Sequence, residues 1–160
     1  MAMMSESNAL SEIKSYRAIG PRLGTAGQPT ASQLAAVRAA GFEAVINLAV
    51  PTSQNALADE GSLVAALGMS YVHIPVDFKA PTSQDFDTFC HMVRAFGERP
   101  VFVHCALNMR VSAFVFLYRV LHEGITPAAA EPDLRAIWAP DAVWSRFIQD
   151  QLARGAEPAR

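Results

Sequence analysis

The sequence predicts a three-layer α/β domain: a mainly parallel central sheet of about four strands, helices on both faces, and a helical C-terminal part. Three observations lead there. Short, almost wholly apolar runs at 44–48, 71–76 and 101–103 recur between segments of helical spacing; strands apolar on both sides are covered on both faces. Strands that alternate with helices pair in parallel, because parallel neighbours need a crossover between them. Beyond Val103 the apolar spacing is helical only.

Each element has its own signal. Residues 1–14 are polar and read as a flexible terminus, followed by one domain over 15–154 and a frayed end at 155–160. Residues 16–23 suit one or two short edge strands. Thr30 and Gln33 match a capping box that opens a helix, with Leu34 and Val37 on its apolar side and Gly41 at its end. The run 44–48 is a buried strand, and 51–55 a polar loop. Leu63, Val64 and Leu67 indicate a short helix stopped by Gly68. A second strand spans 71–76, with Pro75 near its end. Thr82 and Asp85 match a second capping box, ahead of a helix face made by Phe86, Phe89, Met92, Val93 and Phe96. The strand 101–103 leads through His104 and Cys105 into a helix from about Arg110 to His122, stopped by Gly124. Thr126-Pro127 and Asp141 open the last two helices.

Composition narrows the function. With 51% hydrophobic residues in 160, the chain supports a core, so a disordered chain is excluded. The net charge is -2, without a basic stripe, which argues against nucleic acid and membrane surfaces. No run approaches the roughly 20 apolar residues of a membrane span, and the first residues lack the pattern of a signal peptide. Two cysteines, Cys90 and Cys105, cannot build a disulfide scaffold, so a reducing cytoplasm is the expected location. His73, His91, His104 and His122 show no paired ligand spacing, so no metal or other cofactor is expected.

In parallel sheets ligands bind beyond the C-terminal strand ends. Three segments lie there: 49–55, 77–81 and 104–110. The last carries the chemistry. A buried strand delivers Cys105 into a tight loop (Ala106, Leu107, Asn108, Met109), and Arg110 opens the next helix. Loop N–H groups and the helix N-terminus favour an oxyanion, and an arginine clasps two of its oxygens at once. The same field favours a thiolate nucleophile.

The stretch 101–112, with His104-Cys105 and Arg110, resembles the signature loop of cysteine-dependent protein tyrosine and dual-specificity phosphatases. The wider pattern is similar to a small bacterial branch of that superfamily, related to the phosphatase-like domain fused to β-lactamase-like hydrolases. Its other matching parts are Gly27-Gln28-Pro29-Thr30 and the runs 45–48 and 72–76. The resemblance covers roughly residues 16–148. It implies a phosphatase-type fold and hydrolysis of a phosphate monoester through a cysteinyl-phosphate without metal. Cys105 is then the nucleophile, Arg110 the phosphoryl ligand and His104 the support of the loop. Asp77 is the general acid, with Asp85 as the alternative, and Ser112 the hydroxyl that eases thiolate departure. The implied partner is a phosphorylated protein or a small phosphate ester; the oligomeric state is not legible.

One feature departs from the family: the loop between Cys105 and Arg110 has four residues, one fewer than usual, and Asn108 stands near the place of a glycine. Two outcomes are open. A shift of helix phase turns Arg110 about 100° away from the phosphate; a tightened loop keeps it aimed inward with fewer N–H donors. The spacing also resembles that of rhodanese-like sulfurtransferases, whose cysteine carries a persulfide. A phosphate-binding module without turnover is the third reading. Cys90 is read as a core residue, with a redox partner of Cys105 as the sharper alternative. Trp138 and Trp144 are expected to dock the last helices, and Gln28 and Asn47 to make structural hydrogen bonds or reach the site.

Overall fold

A computed structural model describes residues 9–156. Its five strands are β1 (Arg17–Ile19), β2 (Leu23–Ala26), β3 (Ala44–Asn47), β4 (Ser70–His73) and β5 (Val101–His104). They form one sheet in the order β1-β2-β5-β3-β4, parallel except for β1, which pairs antiparallel with β2. The helices are α1 (Ala31–Ala39), α2 (Glu60–Ala66), α3 (Ser83–Ala95), α4 (Met109–His122), α5 (Pro127–Arg135) and α6 (Ala142–Gly155).

Side-chain alternation along the sheet divides the core into two layers. On one face Ala44, Ile46, Val101 and Val103 pack with Phe86, Phe89, Phe114, Trp144 and Phe147 of α3, α4 and α6. On the other, Val45 and Phe102 pack with Leu34, Val37 and Val64 of α1 and α2. The three-layer α/β fold is therefore as expected. Helix α4 is enclosed over Arg110–Tyr118, nine buried residues in succession. Among the described residues no helix is long and apolar enough to cross a membrane.

The structure differs from the expectation at several places. The sheet has five strands rather than about four, and β2 is interior, bonded to β1 on one side and β5 on the other. All four of its residues are buried, yet Gly24 and Thr25 carry little strand signal. Strand β4 ends at His73 rather than Val76. The N–H groups of Ile74 and Val76 still reach Asn47 O and Leu48 O at 2.9 and 3.0 Å, but Pro75 between them has no N–H to continue a ladder. The expected flexible segment 1–14 is anchored at its end: Leu10 and Ile13, three apart around a helical turn, are buried in the layer with Phe102 and Leu34. Residues 1–8 and 157–160 of the two expected loose ends lie outside the described residues.

Caps form at each expected start, but of the two expected capping boxes only that of Thr30 closes among the described hydrogen bonds. Thr30 and Gln33 exchange both bonds of the capping box. Thr82, Thr126 and Asp141 each accept an N–H of the first turn of α3, α5 and α6. Cys90 is buried within electrostatic reach of Asp87, Arg94, Arg154 and Tyr118. Both cysteines are free, and Cys90 packs with Phe86, Phe89 and Val93 in the core. Burial pushes its thiol up to about 12, as suits a core residue.

Candidate active site

Strand β5 is the middle strand, so the loop that follows it emerges at the centre of the sheet's carboxyl end, flanked by the loops after β2 and β3. Cys105 is fully buried at its start, and its N–H donates to Ala26 O at 3.3 Å. Glycine at 27 lets the two backbones meet: a Cβ there would lie 2.5 Å from Ala106 O.

The carbonyls of the loop are fixed outward. Nδ1 of His104 lies 3.2 Å from Cys105 O, and the Gln28 N–H donates to Ala106 O at 3.0 Å. In a planar trans peptide the N–H points opposite to the C=O. The N–H groups of Ala106 and Leu107 are thereby turned to the inner side of the loop. Asn108 then takes a left-handed conformation, φ 67°, and precedes α4 without capping it by its side chain. Instead its amide donates to Ser15 O at 2.9 Å and Thr25 Oγ1 at 3.2 Å. The first N–H groups of α4 keep the donor capacity of an uncapped helix start. Successive inward N–H groups ahead of a helix N-terminus form an anion-binding concavity.

Arg110 is buried in the first turn of α4. Its Nη1 donates to Val76 O at 2.9 Å and its Nη2 to Ser53 Oγ at 3.0 Å. Both partners belong to loops at the carboxyl end of the sheet, so the guanidinium lies on the side where the cysteine loop emerges. The guanidinium also lies 5.9 Å from the centre of the Phe78 ring. Asp77 stands between Val76 and Phe78, exposed, with its carboxylate accepting the Lys79 N–H at 2.9 Å. The backbone around it is held by Arg110 on one side and by Trp144, whose Nε1 donates to Phe78 O at 2.8 Å. Asp85, the alternative acid, lies in the first turn of α3 with its N–H on Thr82 Oγ1.

Ser112 does not join this group. Its Oγ accepts from Trp138 Nε1 at 3.0 Å and donates to Met109 O at 2.9 Å. Its single proton is committed, leaving none for a departing thiolate. The cause is helical phase: two residues beyond Arg110 place it about 200° around α4.

Behind the loop lies a buried polar cluster absent from the sequence reading. Glu60, the first residue of α2, is 3% exposed, and His104 is 0% exposed. His104 Nε2 is 2.6 Å from Glu60 Oε2, and Gln28 Nε2 donates to Glu60 Oε1 at 2.7 Å. Tyr71 lies near enough to Glu60 to interact with it electrostatically, and its hydroxyl accepts from Asn47 Nδ2 at 3.0 Å. Burial pushes the Glu60 carboxyl up, but the bonds and charge of His104, with Gln28 and Tyr71, outweigh it and hold the group below the ordinary glutamate range. Burial and the neighbouring Glu60 push Tyr71 up to about 12. Gln28 and Asn47, open between two roles in the sequence, thus make structural bonds. Ser53 and Glu60 left no signal beyond Ser53's place in a strand-end loop, because their partners are 57 and 44 residues away.

Comparison with known proteins agrees with this architecture. A family model described as "DSP-PTPase phosphatase fused to NAD+ Kinase" matches residues 8–151. No curated protein is similar enough to match. A DUF442 protein of Shewanella putrefaciens CN-32, described as a candidate phosphatase, is 30% identical over 94% of this chain and 99% of its own, with a TM-score of 0.84. Tk-PTP in its active form is 21% identical over 88% and 95%, with a TM-score of 0.69. TpbA of P. aeruginosa, solved with phosphotyrosine, is 16% identical over 88% of each chain, with a TM-score of 0.61. With nearly its whole length matched and a cysteine loop ahead of an inward-facing arginine, the chain belongs to this family of dual-specificity and tyrosine phosphatase domains.

Proposed function

We propose that the protein hydrolyses phosphate monoesters through a cysteinyl-phosphate intermediate, without a metal ion. The observation that carries this reading is the tethered Arg110, held at the carboxyl end of the sheet across from the loop that Cys105 begins. In the first step Cys105 Sγ attacks phosphorus, the S–P bond forms and the P–O bond to the alcohol breaks. Asp77 protonates the leaving oxygen. The inward N–H groups of Ala106 and Leu107, the start of α4 and the Arg110 guanidinium receive the charge on the equatorial oxygens. In the second step water attacks phosphorus, Asp77 takes its proton, and the S–P bond breaks to return the thiolate and inorganic phosphate.

His104 supports the loop through the Cys105 carbonyl. Asp77 is preferred to Asp85 because it adjoins Val76, whose carbonyl holds Arg110. Ser112 has no part, since its proton lies on Met109 O. The substrate is a phosphorylated protein or a small phosphate ester. Phosphotyrosine on the related fold of TpbA makes p-nitrophenyl phosphate a fitting probe. Hydrolysis of that ester in EDTA by wild type, abolished in Cys105→Ser and reduced in Asp77→Asn, is the expected result. Turnover retained in Cys105→Ser overturns the mechanism. Vanadate binding without turnover by reduced wild type would instead identify a binding module, and persulfide formation from thiosulfate a sulfurtransferase.

A further inference from the structure

Glu60 is a buried ionisable group that this mechanism leaves unused, and the geometry of its pair with His104 fixes where their protons lie. A carbonyl only accepts, so Nδ1 of His104 must carry the proton directed at Cys105 O, 3.2 Å away. Nε2 faces a carboxylate oxygen at 2.6 Å, so one more proton lies between ring and carboxylate. Two donors meet the Glu60 carboxylate, Gln28 beyond β2 and His104 on β5, with Tyr71 of β4 beside them. They favour the carboxylate and leave the shared proton on the ring. No other charged group contacts the cluster among its described hydrogen bonds: Tyr71 continues only to Asn47, and Gln28 to Pro29 O.

We propose that Glu60 is a positioning residue of the cysteine loop: it holds His104 as a double donor, and His104 holds the Cys105 carbonyl outward so that the Ala106 N–H faces the bound oxyanion. The role rests on the phosphatase reading above, yet Glu60 touches neither substrate nor sulfur. A charged donor to Cys105 O binds that carbonyl more strongly than a neutral one. It also sets positive charge behind the peptide whose N–H meets the ligand.

Glu60→Gln is the test, because it changes charge with little change of shape. The new side chain can still accept from Gln28 and can donate to Nε2, which then becomes the neutral ring's bare nitrogen. Three quantities are read: the thermal midpoint, the ring N–H resonances of His104 by ¹⁵N NMR, and the affinity for orthovanadate at fixed pH. Wild type shows two ring N–H groups for His104. Glu60→Gln keeps a cooperative melt, loses the Nε2–H signal and binds orthovanadate about tenfold more weakly. Added to His104→Asn, whose amide replaces the Nδ1–H donor, Glu60→Gln causes no further loss.

The inference is overturned by a single ring N–H in wild type, a result that needs no variant. It is equally overturned by unchanged vanadate affinity in folded Glu60→Gln, or by an equal loss in the His104→Asn background. Failure of the phosphatase reading looks different: wild type itself then does not hydrolyse the ester, whether or not it binds vanadate.

Discussion

Asn108 is where the shortened loop makes its largest demand on the chain, and replacing it separates backbone from side-chain contributions. The residue is fully buried in a left-handed conformation, φ 67°, and its amide bonds Ser15 O and Thr25 Oγ1. Glycine at 108 accepts the backbone but loses both bonds, worth about 1 kcal/mol each. Removing the unpartnered, buried Oδ1 offsets part of that loss, so Asn108→Gly costs about 1–2 kcal/mol net. Alanine loses the same bonds and also takes on the left-handed penalty of an ordinary residue, about 1–2 kcal/mol. Urea denaturation should therefore rank wild type above Asn108→Gly above Asn108→Ala, with the alanine variant about 1 kcal/mol below glycine or more. In thermal melts each kcal/mol corresponds to roughly 2–4 °C for a chain of this size. Equal stability of the two variants refutes the backbone argument. An alanine variant as stable as wild type refutes the anchoring role as well.

Other perturbations probe the rest of the site. Arg110→Lys removes the planar fork that reaches Val76 O and Ser53 Oγ together; kcat/KM for p-nitrophenyl phosphate should fall about a hundredfold or more. Trp144→Phe keeps an aromatic ring beside Phe78, Phe114 and Phe147 but deletes the bond to Phe78 O. It should cost about 1 kcal/mol in denaturant titrations and lower kcat more than it alters vanadate affinity, through looser placement of Asp77. Stability should also depend on acid through Glu60. Its folded carboxyl lies below the ordinary range, so its contribution is complete above the unfolded value and is lost as pH falls through the folded one. Melting curves between neutral and strongly acid pH should show a steeper loss for wild type than for Glu60→Gln; parallel curves would exclude Glu60 as a source of the acid sensitivity.

Much of this protein is written in short-range patterns. The apolar runs fix the buried strands β3 and β5, while the run after Ser70 forms the half-exposed edge strand β4. The spacing of Leu34 and Val37, or of Phe86, Phe89 and Val93, fixes helix faces, and Thr30, Thr82, Thr126 and Asp141 fix where helices start. The strand, cysteine loop and arginine-bearing helix are contiguous in the chain, so the core of the site is legible there too. Positive φ at Asn108 follows from the same local chemistry, because asparagine tolerates the left-handed region better than most residues.

Tertiary structure decided what depends on sums over distant contacts. The interior place of β2 is set by its pairing with β5 across 78 positions (Leu23 with Val101), while its own residues, Leu23-Gly24-Thr25-Ala26, have weak strand character. The burial of Leu10 and Ile13 needs Phe102 and Leu34 brought beside them. Where α4 points Arg110 was open locally, because loop length alone does not fix the helix phase; the packing of nine successive residues of that helix decides it. The same phase turned Ser112 toward Trp138 and away from Arg110. The pairing of Glu60 with His104, and of Arg110 with Ser53, leaves no periodic trace, since a hydrogen bond specifies two atoms and not a spacing. Folding alone brings such partners together, because a buried polar group must find its complement wherever the chain supplies one.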